Sequence, residues 1–101
     1  MKAEFRKLWS GAIFLQGNPL AQAVFNVITE DLGISGYGIA RKLDKPPALV
    51  QEGLTFLLDR QLISGSGSLR DNYALTASGF AVKEIIASGW RQHSQTKLGM
   101  E

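Results

Sequence analysis

The chain has 101 residues, of which 45% are hydrophobic and 20% charged. That is enough for one globular domain with a core that needs no covalent staple. Eleven Lys and Arg against nine Asp and Glu leave a net charge of +2, and there is no cysteine. The lack of cysteine excludes a disulfide scaffold and a thiolate metal centre, and with so small an excess the distribution of charge matters more than its total.

The apolar residues Phe5, Leu8, Trp9, Ala12, Ile13 and Leu15 recur at helical spacing and predict a first helix over about 3–15. The apolar run from Gly11 to Leu15 is too short for a signal peptide, and Glu4 interrupts the basic residues before it. No run approaches the roughly 20 apolar residues of a membrane span. A soluble, cytoplasmic protein with no membrane partner is expected.

Gly17-Asn18-Pro19 stops one helix and starts another, because Asn can cap and Pro at the first helical position gives up no needed donor. The second helix is predicted from Pro19 to about Leu32, with Leu20, Val24, Val27 and Ile28 on one face. Glu30 and Asp31 crowd its C-terminal end, where the helix dipole disfavours anions. Gly33 is a natural terminator.

Ser35 can cap a short third helix over 36–43, and Asp44-Lys45 forms a turn. Pro46-Pro47 opens a fourth helix that ends near Gln61. At about 100° per residue, Leu49, Val50, Gly53, Leu54, Leu57 and Leu58 share its packed face. Gly53 would there admit a neighbouring backbone. Ala48, Gln51, Glu52, Thr55 and Asp59 point outward. Ile39, Ala40 and Leu43 give the preceding helix a matching face, as in a helix-turn-helix.

Leu62-Ile63 begins a strand, the run 64–68 turns, and 72–75 returns. Thr76 or Ser78 caps a last helix through Ala81, Val82, Ile85 and Ile86, which Gly89 ends. The predicted fold is mainly α with a small β-hairpin wing. One domain spans 1–90, with an extra N-terminal helix at about 3–15 and a core at about 19–88, and a polar tail covers 91–101.

These positions carry a resemblance. Ile39-Ala40, Leu43, Val50, Leu54, Leu57 and Leu62-Ile63 fall at the hydrophobic spacing of bacterial winged helix-turn-helix regulators. Tyr73-x-Leu75-Thr76-x-x-Gly79 is similar to the end of the wing and the start of the last helix in those proteins. The start Gly36-Tyr37 resembles the PadR group, and the rest the broader MarR type. The likeness covers about 20–88 and leaves the subfamily open.

The resemblance implies a transcriptional regulator whose second helix of the pair enters the major groove of double-stranded DNA while the wing touches phosphates or the minor groove. Ala48, Gln51, Glu52 and Thr55 would face base edges, with Gln51 able to pair with adenine and Ala48 or Thr55 able to meet a thymine methyl. Arg41, Lys42 and Lys45 would hold phosphates, and Arg70 would probe the minor groove. It also implies a homodimer, for which Phe5, Trp9, Ile85 and Trp90 on the terminal helices are candidate interface residues.

Two departures bear on this reading. Glu52 and Asp59 make the outward face acidic, and Pro46 and Pro47 supply no amide at the helix start for a phosphate. The alternative is a winged-helix module that docks a protein on the Glu52/Asp59 face. No enzyme, metal or cofactor is expected: His93 is the only histidine, it lies in the tail, and no convergent set of catalytic groups is present.

Overall fold

In the computed structural model, residues 2–88 are described, with side chains from residue 8 onward. Five helices and three short strands run in the order α1 (Lys2–Gln16), α2 (Pro19–Glu30), β1 (Ile34–Ser35), α3 (Gly36–Leu43), α4 (Pro47–Asp59), β2 (Ile63–Ser64), β3 (Asn72–Leu75), α5 (Ala77–Ala87). This is the expected mainly helical winged helix-turn-helix, with one strand more than the hairpin.

The caps form as their side chains dictate. Asn18 Oδ1 accepts from the Ala21 amide at 3.1 Å, and Ser35 Oγ accepts from Gly38 at 3.0 Å. Of the two residues that could cap α5, it is Thr76 whose Oγ1 accepts from Gly79, at 3.0 Å. Each bond satisfies an amide that the first helical turn leaves without a partner, an effect worth about 1 kcal/mol.

Helix α2 stops at Glu30, two residues short of the expected end, and Leu32 is left exposed. Beyond it the chain turns through Gly33 at φ 86° into β1. One of the two crowded carboxylates finds a partner, since Asp31 pairs with Lys42 Nζ of α3 at 3.4 Å. The cation comes from another helix, and at half exposure the pair eases the dipole conflict only slightly.

The sheet has the order β1-β3-β2, both pairings antiparallel, with β3 in the middle. Ile34 pairs with Tyr73 and Ser35 with Asn72 on one side, and Ile63 pairs with Leu75 on the other. Helix α4 ends at Asp59, earlier than expected, and Gln61 turns the chain at φ 59°.

The core lies between α2, α3, α4 and the sheet, with α1 laid against α5. Leu15, Val24, Ile28, Ile39, Val50, Leu54, Leu57, Tyr73 and Val82 are fully buried. Burying such a side chain contributes about 1.5–3 kcal/mol, so these residues dominate the stability of the domain. Leu49, expected on the packed face of α4, is 40% exposed. Position 53 is tight against side chains, not backbone: a Cβ there would lie 2.9 Å from Val24 Cγ2. No described helix is long and apolar enough to cross a membrane.

Candidate nucleic-acid interface

Helices α3 and α4 form the helix-turn-helix. Asp44 takes the left-handed conformation at φ 53° and closes α3, and the Lys45 amide returns to the Ala40 carbonyl at 3.1 Å. Pro46 occupies the cap position of α4 and offers no side-chain hydrogen bond there. The turn and the start of α4 line an open groove of about 700 Å³ bounded by Tyr37, Ala40, Arg41, Asp44, Lys45, Pro46 and Pro47. Tyr37, 45% exposed, is a member of this surface that residue patterning does not single out as a contact.

Along the outward face of α4, Ala48, Glu52, Thr55 and Asp59 are exposed and Gln51 is half-buried. Thr55 Oγ1 donates to the Gln51 carbonyl at 3.0 Å, one turn back in the same helix. Gln51 turns to the wing, where its side-chain amide donates to the Gly67 carbonyl. The Glu52 side chain has no hydrogen bond or ion pair among the described residues.

The cations differ in their state. Lys42 is engaged by Asp31. Arg41, Lys45 and Arg70 are exposed and have no acidic partner among the described residues. Arg41 and Lys45 stand at the turn and Arg70 in the wing, so free positive charge flanks α4 at two places while acids occupy its face. Arg60, absent from the expected set, lies over the Phe14 ring at 3.6 Å, and Phe14 meets Phe56 edge-on with centroids 6.2 Å apart. This cation–π contact ties the end of α4 to α1 and gives Arg60 a packing role.

The wing is compact. The Tyr37 amide donates to the Leu69 carbonyl at 3.0 Å, and Tyr73 Oη donates to the Ser68 carbonyl at 2.7 Å. Gly67 is at φ 96°, a conformation that glycine adopts without strain. The Asp71 carboxylate accepts from the amides of Ser66 at 2.5 Å and Asn72 at 2.8 Å. The Ser66 amide, chiefly, holds its pKa below the ordinary 3.8, because a donated hydrogen bond stabilises the charged form.

The four candidate dimer residues are divided. Trp9 is half-buried, and Ile85 packs, half-buried, against the core. The Phe5 side chain and Trp90 lie outside the described residues. Ile13 on α1 and Phe80 on α5 are 57% and 44% exposed, and neither was in the expected set.

No family model matches the sequence, and no curated protein matches it. Solved structures do. The chain is similar to Staphylococcus aureus MarR in complex with salicylate and kanamycin, at 18% identity and TM-score 0.60 over 77% of this chain and 55% of that one. It is similar to MepR, a transcription regulator of the S. aureus multidrug efflux pump MepA, at 20% identity and TM-score 0.62, covering 99% and 79% of the two chains. It is also similar to an S. aureus MepR–DNA complex, at 24% identity and TM-score 0.56 over 83% and 63%. The aligned region is thus between 55% and 64% of the length of several of these chains, including a MepR mutant from a clinical isolate. The likeness establishes the fold.

Proposed function

We propose, from the premise of a winged-helix fold shared with MarR-type regulators, that this chain is a transcriptional regulator that binds double-stranded DNA as a homodimer. Helix α4 would enter the major groove, and the mechanism would be steric, by occupying a short site and blocking or recruiting polymerase. The observation that carries the reading is the placement of Arg41 and Lys45 at the turn and Arg70 in the wing. All three are exposed without acidic partners among the described residues, on either side of the outward face of α4. That is an arrangement for phosphates, which supply most of the affinity of such proteins. A solved MepR–DNA complex of the same fold adds support.

The test is duplex binding as a function of salt. Three phosphate contacts per protomer, doubled in a dimer, give a slope of log K against log salt of about −5. Arg70→Ala on both protomers should weaken binding and flatten that slope by about two charge equivalents. Absence of duplex binding at low salt and high protein concentration would sink the reading.

Exposed Glu52 and Asp59 favour a second reading, a module that docks a protein on α4. Replacing them with Gln and Asn separates the two. DNA affinity should rise if α4 lies near phosphate, because two repulsions vanish. It should stay flat if α4 serves a protein.

A further inference from the structure

A glutamine on the outward face of a recognition helix has the donor and acceptor to read an adenine edge. In this chain Gln51 is differently occupied. It is half-buried, and its Nε2 donates to the Gly67 carbonyl across the gap between α4 and the wing. The wing's other ties come from elsewhere: Gly36 donates to Asp71 at 3.3 Å, Tyr37 to Leu69, and Tyr73 Oη to Ser68. Among the described residues, the Gln51 bond is the only side-chain hydrogen bond between α4 and residues 65–71. The residues on either side of Arg70, Leu69 and Asp71, are held by the Tyr37 and Gly36 amides of α3, so the Gln51 bond adds a tie to α4 at the tip of the wing, at Gly67.

We propose that Gln51 is a positioning residue that sets the tip of the wing against α4, completing the hold that Gly36 and Tyr37 place on the segment carrying Arg70, and that it does not read a base. The proposal rests on the DNA-binding reading for its consequence and on the Gln51–Gly67 bond for its substance. It also narrows base recognition. With one Gln51 N–H committed to the wing and the Thr55 hydroxyl hydrogen committed to its own helix, Glu52 is the polar side chain of the four base-facing positions with no bond of its own, and Ala48 suits a thymine methyl.

Two measurements decide it. In the free full-length protein, NMR should show the Gln51 side-chain amide protons exchanging more slowly than those of an exposed glutamine. Gln51→Met keeps length and neutrality but removes the donor. It should lower the ¹⁵N order parameters of residues 67–70 while the core resonances hold. If Met disturbs the fold, Gln51→Glu replaces it, since a carboxylate of the same shape can only accept and will not bond a carbonyl. Fast Gln51 amide exchange with an unchanged wing overturns the proposal.

The second measurement is a base-pair scan of the selected duplex. Loss of one neutral hydrogen bond corresponds to about a five-fold effect, and Gln51→Met should weaken every duplex by a similar factor and leave base preference unchanged. A loss confined to one base pair makes Gln51 a reader and overturns the proposal. If the wild type binds no duplex, the DNA-binding reading fails, and the measurement on the free protein still decides whether the latch exists.

Discussion

A methyl group at position 36 has no room. A Cβ on Gly36 would lie 2.8 Å from Leu69 Cα and 2.9 Å from the Leu69 carbonyl oxygen, so backbone would have to move. Gly36→Ala should cost about 1–3 kcal/mol in urea unfolding, the usual range for overpacking. An unchanged midpoint would mean that the wing does not rest on α3. Asp71 makes a different prediction. Its pKa is lowered in the folded chain, so its contribution is present above the ordinary 3.8 and is lost as pH falls through the folded value. The Ser66 and Asn72 amide resonances should therefore hold from neutral pH down to about 4 and shift only below that. Movement near pH 6 would contradict the assignment. At this scale the local devices were legible in the sequence: Asn18, Ser35 and Thr76 cap because a cap needs only residues three apart. Gln51 was not. A helical wheel places it outward correctly but knows nothing of a carbonyl sixteen residues later. Lys42 was misjudged in the same way, because its partner Asp31 belongs to another helix.

Helix α4 supplies the core with Val50, Leu54 and Leu57, all with no exposed surface. Leu54→Ala should destabilise the domain by about 2–5 kcal/mol, measured by denaturant unfolding, and a loss under about 1 kcal/mol would contradict the helix register. The periodicity of apolar residues predicted this face, since both Leu54 and Leu57 are buried. It misplaced Leu49, at the edge of that face, which is left exposed although Val50 beside it is fully buried. Strand β1 was missed for a physical reason. Two residues cannot display a period of two, and Ile34-Ser35 becomes a strand only by pairing with Tyr73 and Asn72 far along the chain. The return strand 72–75 was legible because it is longer and bounded by turn residues on one side and a cap on the other.

For the molecule as a whole, Ile13 and Phe80 are, among the described residues, the large apolar side chains left exposed on the contacting pair α1 and α5. Helices that bury Leu15 and Val82 and yet leave these residues in water have a surface suited to a second copy. Sedimentation at micromolar concentration should give a mass near twice 11.0 kDa, and Ile13→Glu with Phe80→Glu should return it to the monomer value. A strict monomer in the wild type would remove the homodimer from the proposed function. The two-rung pairing of β1 with β3 carries one more consequence. Ile34–Tyr73 and Ser35–Asn72 bring together the ends of the segment 36–71, which contains α3, the turn, α4 and the wing. The ends of the candidate reading head therefore meet at a strip of sheet two residues wide, while β2 within it pairs with β3 and its two helices pack on α2. Closure entropy grows only with the logarithm of loop length, about 0.6 kcal/mol per doubling. That latitude belongs to the turn at 44–46 and the wing tip at 65–71, which contribute no buried residue, and not to α3 and α4, which supply the core. New binding preferences can then arise by exchange in those two stretches while the helices that carry them stay packed on α2.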